Sequence, residues 1–129
     1  MRKIIIALVA MFAVATPVAV AGSASATTGP QRQAIGSAHN YLSFMNFSKQ
    51  GLIDQLDSPF GDGYSKAVAT YAVNHIRVNW YKQAVGSARN YLSFMHFSCA
   101  GLIDQLDSRF GDKYTHSQAV YGAHHTRAC

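Results

Sequence analysis

The chain carries one segment twice. Residues Ala34 to Arg77 return fifty positions on as Ala84 to Arg127, with roughly two thirds of the aligned pairs identical. The run Gly36 to Met45 matches Gly86 to Met95 at all but one position, and Gly51-Leu52-Ile53-Asp54-Gln55-Leu56-Asp57-Ser58 is repeated without change from Gly101 to Ser108. A duplication this long restricts the fold to two like supersecondary units, each expected to bury part of its apolar face against its twin. It also doubles every surface feature, which suits a binding surface better than a single catalytic centre.

The N-terminus reads as a secretory signal. Arg2 and Lys3 precede an apolar stretch from Ile4 to Val14, then Pro17, then Ala24-Ser25-Ala26 as a small-residue cleavage motif. Cleavage after Ala26 is expected, with Ala19-Val20-Ala21 as a weaker second motif. The apolar stretch is shorter than the ~20 residues of a membrane-spanning helix. No Cys follows it to form a lipobox, so a secreted or surface-associated chain without a lipid anchor is expected. The organisation then reads as signal 1–26, a short leader 27–32, a first repeat 33–80 and a second repeat 81–129. About a hundred residues suffice for one compact domain of two half-units, and not for two independent cores.

The full chain has a formal charge of +5; removing Arg2 and Lys3 from eleven basic residues leaves nine against six Asp, a net +3. There is no Glu, and the acids fall at the duplicated positions Asp54/Asp104, Asp57/Asp107 and Asp62/Asp112. A charge this small names no partner. Both cysteines break the repeat, Cys99 replacing Lys49 and Cys129 aligning with Asn79. In an exported chain they are expected to pair, closing a loop of about thirty residues and fastening the C-terminus to the start of a short helix.

The apolar spacing predicts three helices per repeat and no strand. The first begins at Pro30 behind Gly29 as N-cap and carries Ala34, Ala38, Tyr41, Leu42 and Met45 on one stripe. Ser48 caps a short second helix with Leu52, Ile53 and Leu56 inward, closed by Phe60-Gly61-Asp62 with Gly61 left-handed. The third starts behind Ser65, or behind Thr115 with Gln118 in capping-box spacing. In the first copy Ala69, Ala72, Val73, Ile76 and Trp80 share a stripe, with a break at Val78-Asn79 before the next helix.

Chemistry-bearing patterns are few. Helices two and three resemble a helix-turn-helix, but the segment Ser117 to His125 holds no Lys or Arg, so specific nucleic-acid binding is not expected. His116 and His124 lie eight residues apart, roughly 12 Å along a helix, too far to share one ion. Asp54 and Asp57 share a helix face, yet nothing pairs them with a nucleophile or a pocket; solvation, capping and turn formation account for the acids. Neither a catalytic set, a metal set nor a cofactor motif emerges. Phe44-Met45-x-Phe47 and Phe94-Met95-x-Phe97 are the most apolar stretches and are expected to pack in the core, with a hydrophobic docking patch as the alternative.

The pattern Ala-x3-Ala-x2-Tyr-Leu, Phe-Ser-x2-Gly-Leu-Ile-x-Gln-Leu-x-Ser, Gly-Asp-x-Tyr-Ser/Thr and Ala-x-Tyr resembles the tandem repeat of Ltp-type host cell surface-exposed lipoproteins. The resemblance covers Gln33 to about Trp80 and Gln83 to about Arg127. It implies two compact three-helix repeats outside a bacterial envelope and, in phage-encoded members, superinfection exclusion by binding a phage DNA-injection component. The missing lipobox Cys departs from that family. The chain is thus read as an all-α, non-enzymatic, exported binding protein with a protein partner, the alternative being a host envelope or cell-wall adaptor. Because Arg89, Arg109 and Lys113 make the second copy the more basic, docking is assigned to Arg89, Arg109, Lys113, Phe94, Phe97 and Tyr114.

Overall fold

Side-chain caps set where each helix begins. The computed structural model describes residues 26–129, so the expected signal segment lies outside the described residues except for Ala26. The helices are α1 (Gly29–Phe44), α2 (Lys49–Asp57), α3 (Lys66–Asn74), α4 (Trp80–Phe94), α5 (Cys99–Asp107) and α6 (His116–His124). Ser48, Ser65, Asn79, Ser98 and Thr115 each accept a hydrogen bond from the backbone N–H three residues on, satisfying a donor the helix leaves unpaired. The break at Asn79 follows as expected. The cap of α1 is Thr28 and not Gly29: its hydroxyl accepts from Gln31 N–H while the Gln31 side chain accepts from Thr28 N–H, a reciprocal pair that glycine cannot make. Helix therefore takes in residues 29–32 of the expected leader.

Among the described residues there is no strand, and no helix is long and apolar enough to cross a membrane. The fold is all-α, with two tandem three-helix repeats. Its apolar interior is divided, however, against the expectation of a face shared between twins. Leu52, Ile53 and Leu56 of α2 pack with Ala34 and Ala38 of α1 and Ala69, Ala72 and Val73 of α3. Leu102 and Leu106 of α5 form a second core with Ala84 and Ala88 of α4, Tyr114, and Ala119 and Ala123 of α6. The alanines let the long helix sit close on the leucines, so three helices consume each unit's apolar stripe and leave little for the twin.

The repeats meet instead through polar groups. Phe47 N–H donates to Gln83 Oε1 at 3.1 Å, the Ser48 hydroxyl donates to the Asp112 carbonyl, and Lys113 pairs with Asp54. One apolar tie crosses: Trp80, the first residue of α4, packs against the first core together with Ile76. Burial follows this asymmetry, since Ser87 and Tyr114 are buried while their counterparts Ser37 and Tyr64 are only half-buried.

The α2–α3 turn differs from expectation at one residue. Gly61 does not take the left-handed conformation; Gly63 does, at φ 67°, and its counterpart Lys113 adopts the same region at φ 62° despite its side chain. That conformation costs a non-glycine residue on the order of 1 kcal/mol, and Lys113 is the residue whose ammonium reaches Asp54 across the seam.

Gly122 replaces Ala72 at a point of close helix packing. A Cβ there would lie 2.8 Å from the Ala84 carbonyl carbon and oxygen, where α6 crosses α4. Gly122→Ala is expected to destabilise the second repeat by about 1–3 kcal/mol through backbone displacement. Urea unfolding followed by amide signals of α6 checks this; an unchanged midpoint would show that the crossing has slack. At the C-terminus Cys129 is disulfide-bonded to Cys99 at the start of α5, with the Cα atoms 4.8 Å apart.

Candidate functional site

A polar chain in each repeat ties the long helix to the turn after the second. Gln55 donates to the Tyr41 hydroxyl at 3.3 Å, and Tyr41 donates to Asp62 at 2.8 Å; Gln105, Tyr91 and Asp112 repeat this at 3.2 and 2.6 Å. Ser37 with Tyr64, and Ser87 with Tyr114 at 2.7 Å, make a second tie. The aspartates at 62 and 112 are thus turn anchors.

In the second repeat these groups lie under the seam. Burial, then the hydrogen bond to Asp112, pushes the Tyr91 hydroxyl up to about 12, and burial raises Tyr114. Burial also raises the Asp112 carboxyl above the ordinary 3.8, opposed by the bond from Tyr91. Asp54 goes the other way: burial works against its ionisation, but hydrogen bonds from Lys113 and Gln50 and the neighbouring lysine charges outweigh it.

The two signs have opposite consequences. A carboxyl with a raised folded value stabilises fully below its unfolded value and loses that contribution as pH rises through the folded value. For Asp54 the contribution is present above the unfolded value and is lost as pH falls through the folded one. Asp112→Asn is therefore expected to remove a decline in stability that sets in as pH rises past the ordinary carboxylate range, read by denaturant unfolding from acid to neutral pH. Parallel curves for variant and parent would assign the decline elsewhere.

Above this network the seam opens as a groove. A cavity of about 380 Å³ is bounded by Phe44, Met45 and Asn46 of the first repeat and Asn90, Tyr91 and Asp112 of the second. Phe44 is 69 % exposed and Phe94 63 %, and Met45 and Met95 are also exposed, so the core packing expected for these positions does not occur. Helices α1 and α4 end at Phe44 and Phe94, and their C-caps Met45 and Met95 are extended. Only Phe47 and Phe97 turn inward, each edge-on to its tyrosine, Tyr41 or Tyr91, at 5.7 Å.

The largest exposed apolar groups were not singled out from the sequence. Phe60 and Phe110, at the tips of matching turns, are 99 % and 91 % exposed. The readable signal was position: each aromatic sits next to a Gly in a turn, outside any helical stripe. A folded chain that twice holds a whole phenyl ring in water presents two candidate anchors for a partner.

The six residues assigned to docking are dispersed. Tyr114 is buried, 3 % exposed, so it is a core residue and not part of a surface. Phe97 is half-buried against Tyr91, and Lys113 is engaged by Asp54. Phe94 is exposed at the end of α4, and Arg109 is exposed with its guanidinium 5.5 Å from the Phe110 ring. Arg89 lies elsewhere, on a cavity between α4 and the residues following α6. Cys99, His124 and Cys129 bring ligand-type atoms within 4.8 Å of one another, but the two sulfurs are bonded to each other and offer no thiolate.

The chain matches the family described as host cell surface-exposed lipoprotein, Ltp, twice, over residues 30–76 and 79–125. Among solved structures it is similar to that of Ltp, a superinfection exclusion protein from the Streptococcus thermophilus temperate phage TP-J34, with 32 % sequence identity and a TM-score of 0.69. That match covers 78 % of this chain and 98 % of the phage protein. No curated protein matches the chain. With both repeats matched and the six-helix architecture shared, the chain belongs to the Ltp family of host cell surface-exposed lipoproteins.

Proposed function

We propose that this chain is an exported, non-enzymatic binding protein that excludes superinfecting phage by engaging a protein of the incoming particle's DNA-injection machinery. The observation that carries the reading is the similarity, over both repeats, to a phage superinfection exclusion protein. The surface features agree with a binding role. Exposed Phe and Met side chains recur in both copies, and the duplicated polar groups are occupied in holding turns rather than gathered around a reactive centre. Phe60, Phe110 and the Phe44–Met45 rim of the seam groove are the contacts assigned to the partner, with Arg109 beside Phe110 adding a charge for an acidic helical segment.

The test is to express the chain with its own N-terminal segment in a phage-susceptible bacterium and to measure adsorption and DNA entry separately. Normal adsorption with blocked entry is the expected result. Unchanged entry, with the protein verified outside the cell, would overturn the reading in favour of a host envelope adaptor.

A further inference from the structure

The second repeat has a cavity of about 670 Å³ with no role in the proposal above, and two arginines, Arg89 and Arg127, stand on its wall beside the apolar Leu92. Arg89 and Ser93 face it from α4, and His124, His125, Thr126 and Arg127 from the end of α6 and the segment beyond. Among the described residues, no carboxylate lines it. It arises where the two copies diverge: Arg89 stands for His39, His124 for Asn74, and Thr126 for Ile76. In the first repeat Ile76 packs against the core; the shorter, polar Thr126 hydrogen-bonds back to the Ala123 carbonyl instead.

Several of these groups are pre-oriented. Arg127 donates from Nη2 to the Leu92 carbonyl at 3.1 Å, which fixes the guanidinium against α4 and leaves its other N–H groups free. His125 stacks on Tyr121 at 3.9 Å, and its Nδ1 lies 2.7 Å from the Tyr121 carbonyl. A carbonyl only accepts, so Nδ1 carries the proton and Nε2 of the neutral ring is an acceptor, which leaves donation to an anion to the arginines. The Cys99–Cys129 bond closes the chain just beyond Arg127 and holds this wall in place.

We propose that this cavity is a binding site for a phosphate group, with Arg89 and Arg127 as its two planar clamps; the Ser93 hydroxyl beside them is already donated to the Asn90 carbonyl at 2.6 Å. Two guanidinium forks, with one N–H of Arg127 given to Leu92, still offer more donors than the two oxygens of a carboxylate can take up, and they match the several oxygens of a phosphate. The volume exceeds that of one phosphate, so there is room for the group that carries it. The proposal does not depend on the phage-exclusion reading.

The experiment is a titration of the isotope-labelled full-length chain, at constant ionic strength, with inorganic phosphate, a glycerol-phosphate oligomer, and phosphatidylglycerol vesicles diluted in phosphatidylcholine. Amide shifts are expected to concentrate at Arg89–Ser93 and His124–Arg127. Arg89→Gln and Arg127→Gln are each expected to weaken binding about tenfold, while Arg77→Gln, the matching position of the first repeat, leaves it unchanged. Both arginines are exposed, and an unchanged circular dichroism spectrum of the variants separates lost binding from lost fold. The tightest of the three probes identifies the source as free phosphate, polymer or lipid headgroup. No local shift with any probe, binding that survives both substitutions, or equal affinity for an acidic peptide of the same charge would overturn the proposal.

Discussion

A chain carrying both Phe60→Ser and Phe110→Ser is expected to fold as the parent does and to lose phage exclusion. Both rings are almost wholly in water, so their removal should change stability by no more than about 0.5 kcal/mol. An aromatic anchor desolvated at an interface is worth about 2 kcal/mol, and losing two corresponds to roughly a thousandfold in affinity if they act independently. Efficiency of DNA entry in cells exporting equal amounts of parent and variant is the direct measurement. Exclusion that persists in the double variant would transfer the docking role to the Phe44–Met45 rim of the seam groove. The single variants carry further information: an equal loss from each would mean that both repeats grip the partner at once.

The second large effect concerns stability, and it is local. Breaking the Cys99–Cys129 bond, by reduction or by Cys99→Ser with Cys129→Ser, reopens a loop spanning 30 residues. The chain-entropy relation values that loop at about 3–4 kcal/mol. Because the apolar interior is divided into two cores and the disulfide touches only the second, the loss should fall on α4 to α6. The expected observation is a melting transition for the second repeat lowered by more than about 10 °C, while amide signals of α1 to α3 hold to higher temperature. A single transition that moves as a whole would show that the Trp80 contact and the polar seam couple the repeats more tightly than their separate cores suggest. Reduction without any shift would mean that the C-terminal segment contributes nothing to the second core, although Ala128 packs against it.

The two effects also bear on each other. The disulfide positions the segment that follows α6, and with it the wall of the cavity that Arg89 and Arg127 share, whereas Phe110 stands on the turn between α5 and α6. Reduction should therefore impair phosphate binding sooner than it impairs the aromatic tips, since the latter are held by the Tyr91–Asp112 and Ser87–Tyr114 bonds.

What the sequence by itself determined is the part of the molecule governed by short range. The duplication, the helices, the caps at Ser48, Ser65 and Thr115, the break at Asn79 and the pairing of the only two cysteines all follow from spacing within a few residues or from simple exclusion of partners. Even where local signals compete, as at Thr28 against Gly29, the chemistry needed to decide was present in Gln31. The tertiary structure alone decided which aromatic groups face water, because Phe44 and Phe47 differ by one turn of chain direction at the end of α1 and not by composition. It alone made the seam polar, through contacts such as Ser48 with Asp112 and Asp54 with Lys113, which join residues 64 and 59 positions apart. The same seam engaged Lys113, while packing within the second repeat buried Tyr114, removing both from the surface assigned to them, and set Arg89 beside Arg127 on a cavity between α4 and the end of α6. Helix formation is written in hydrogen bonds four residues long; exposure is settled only when distant segments compete for the same face.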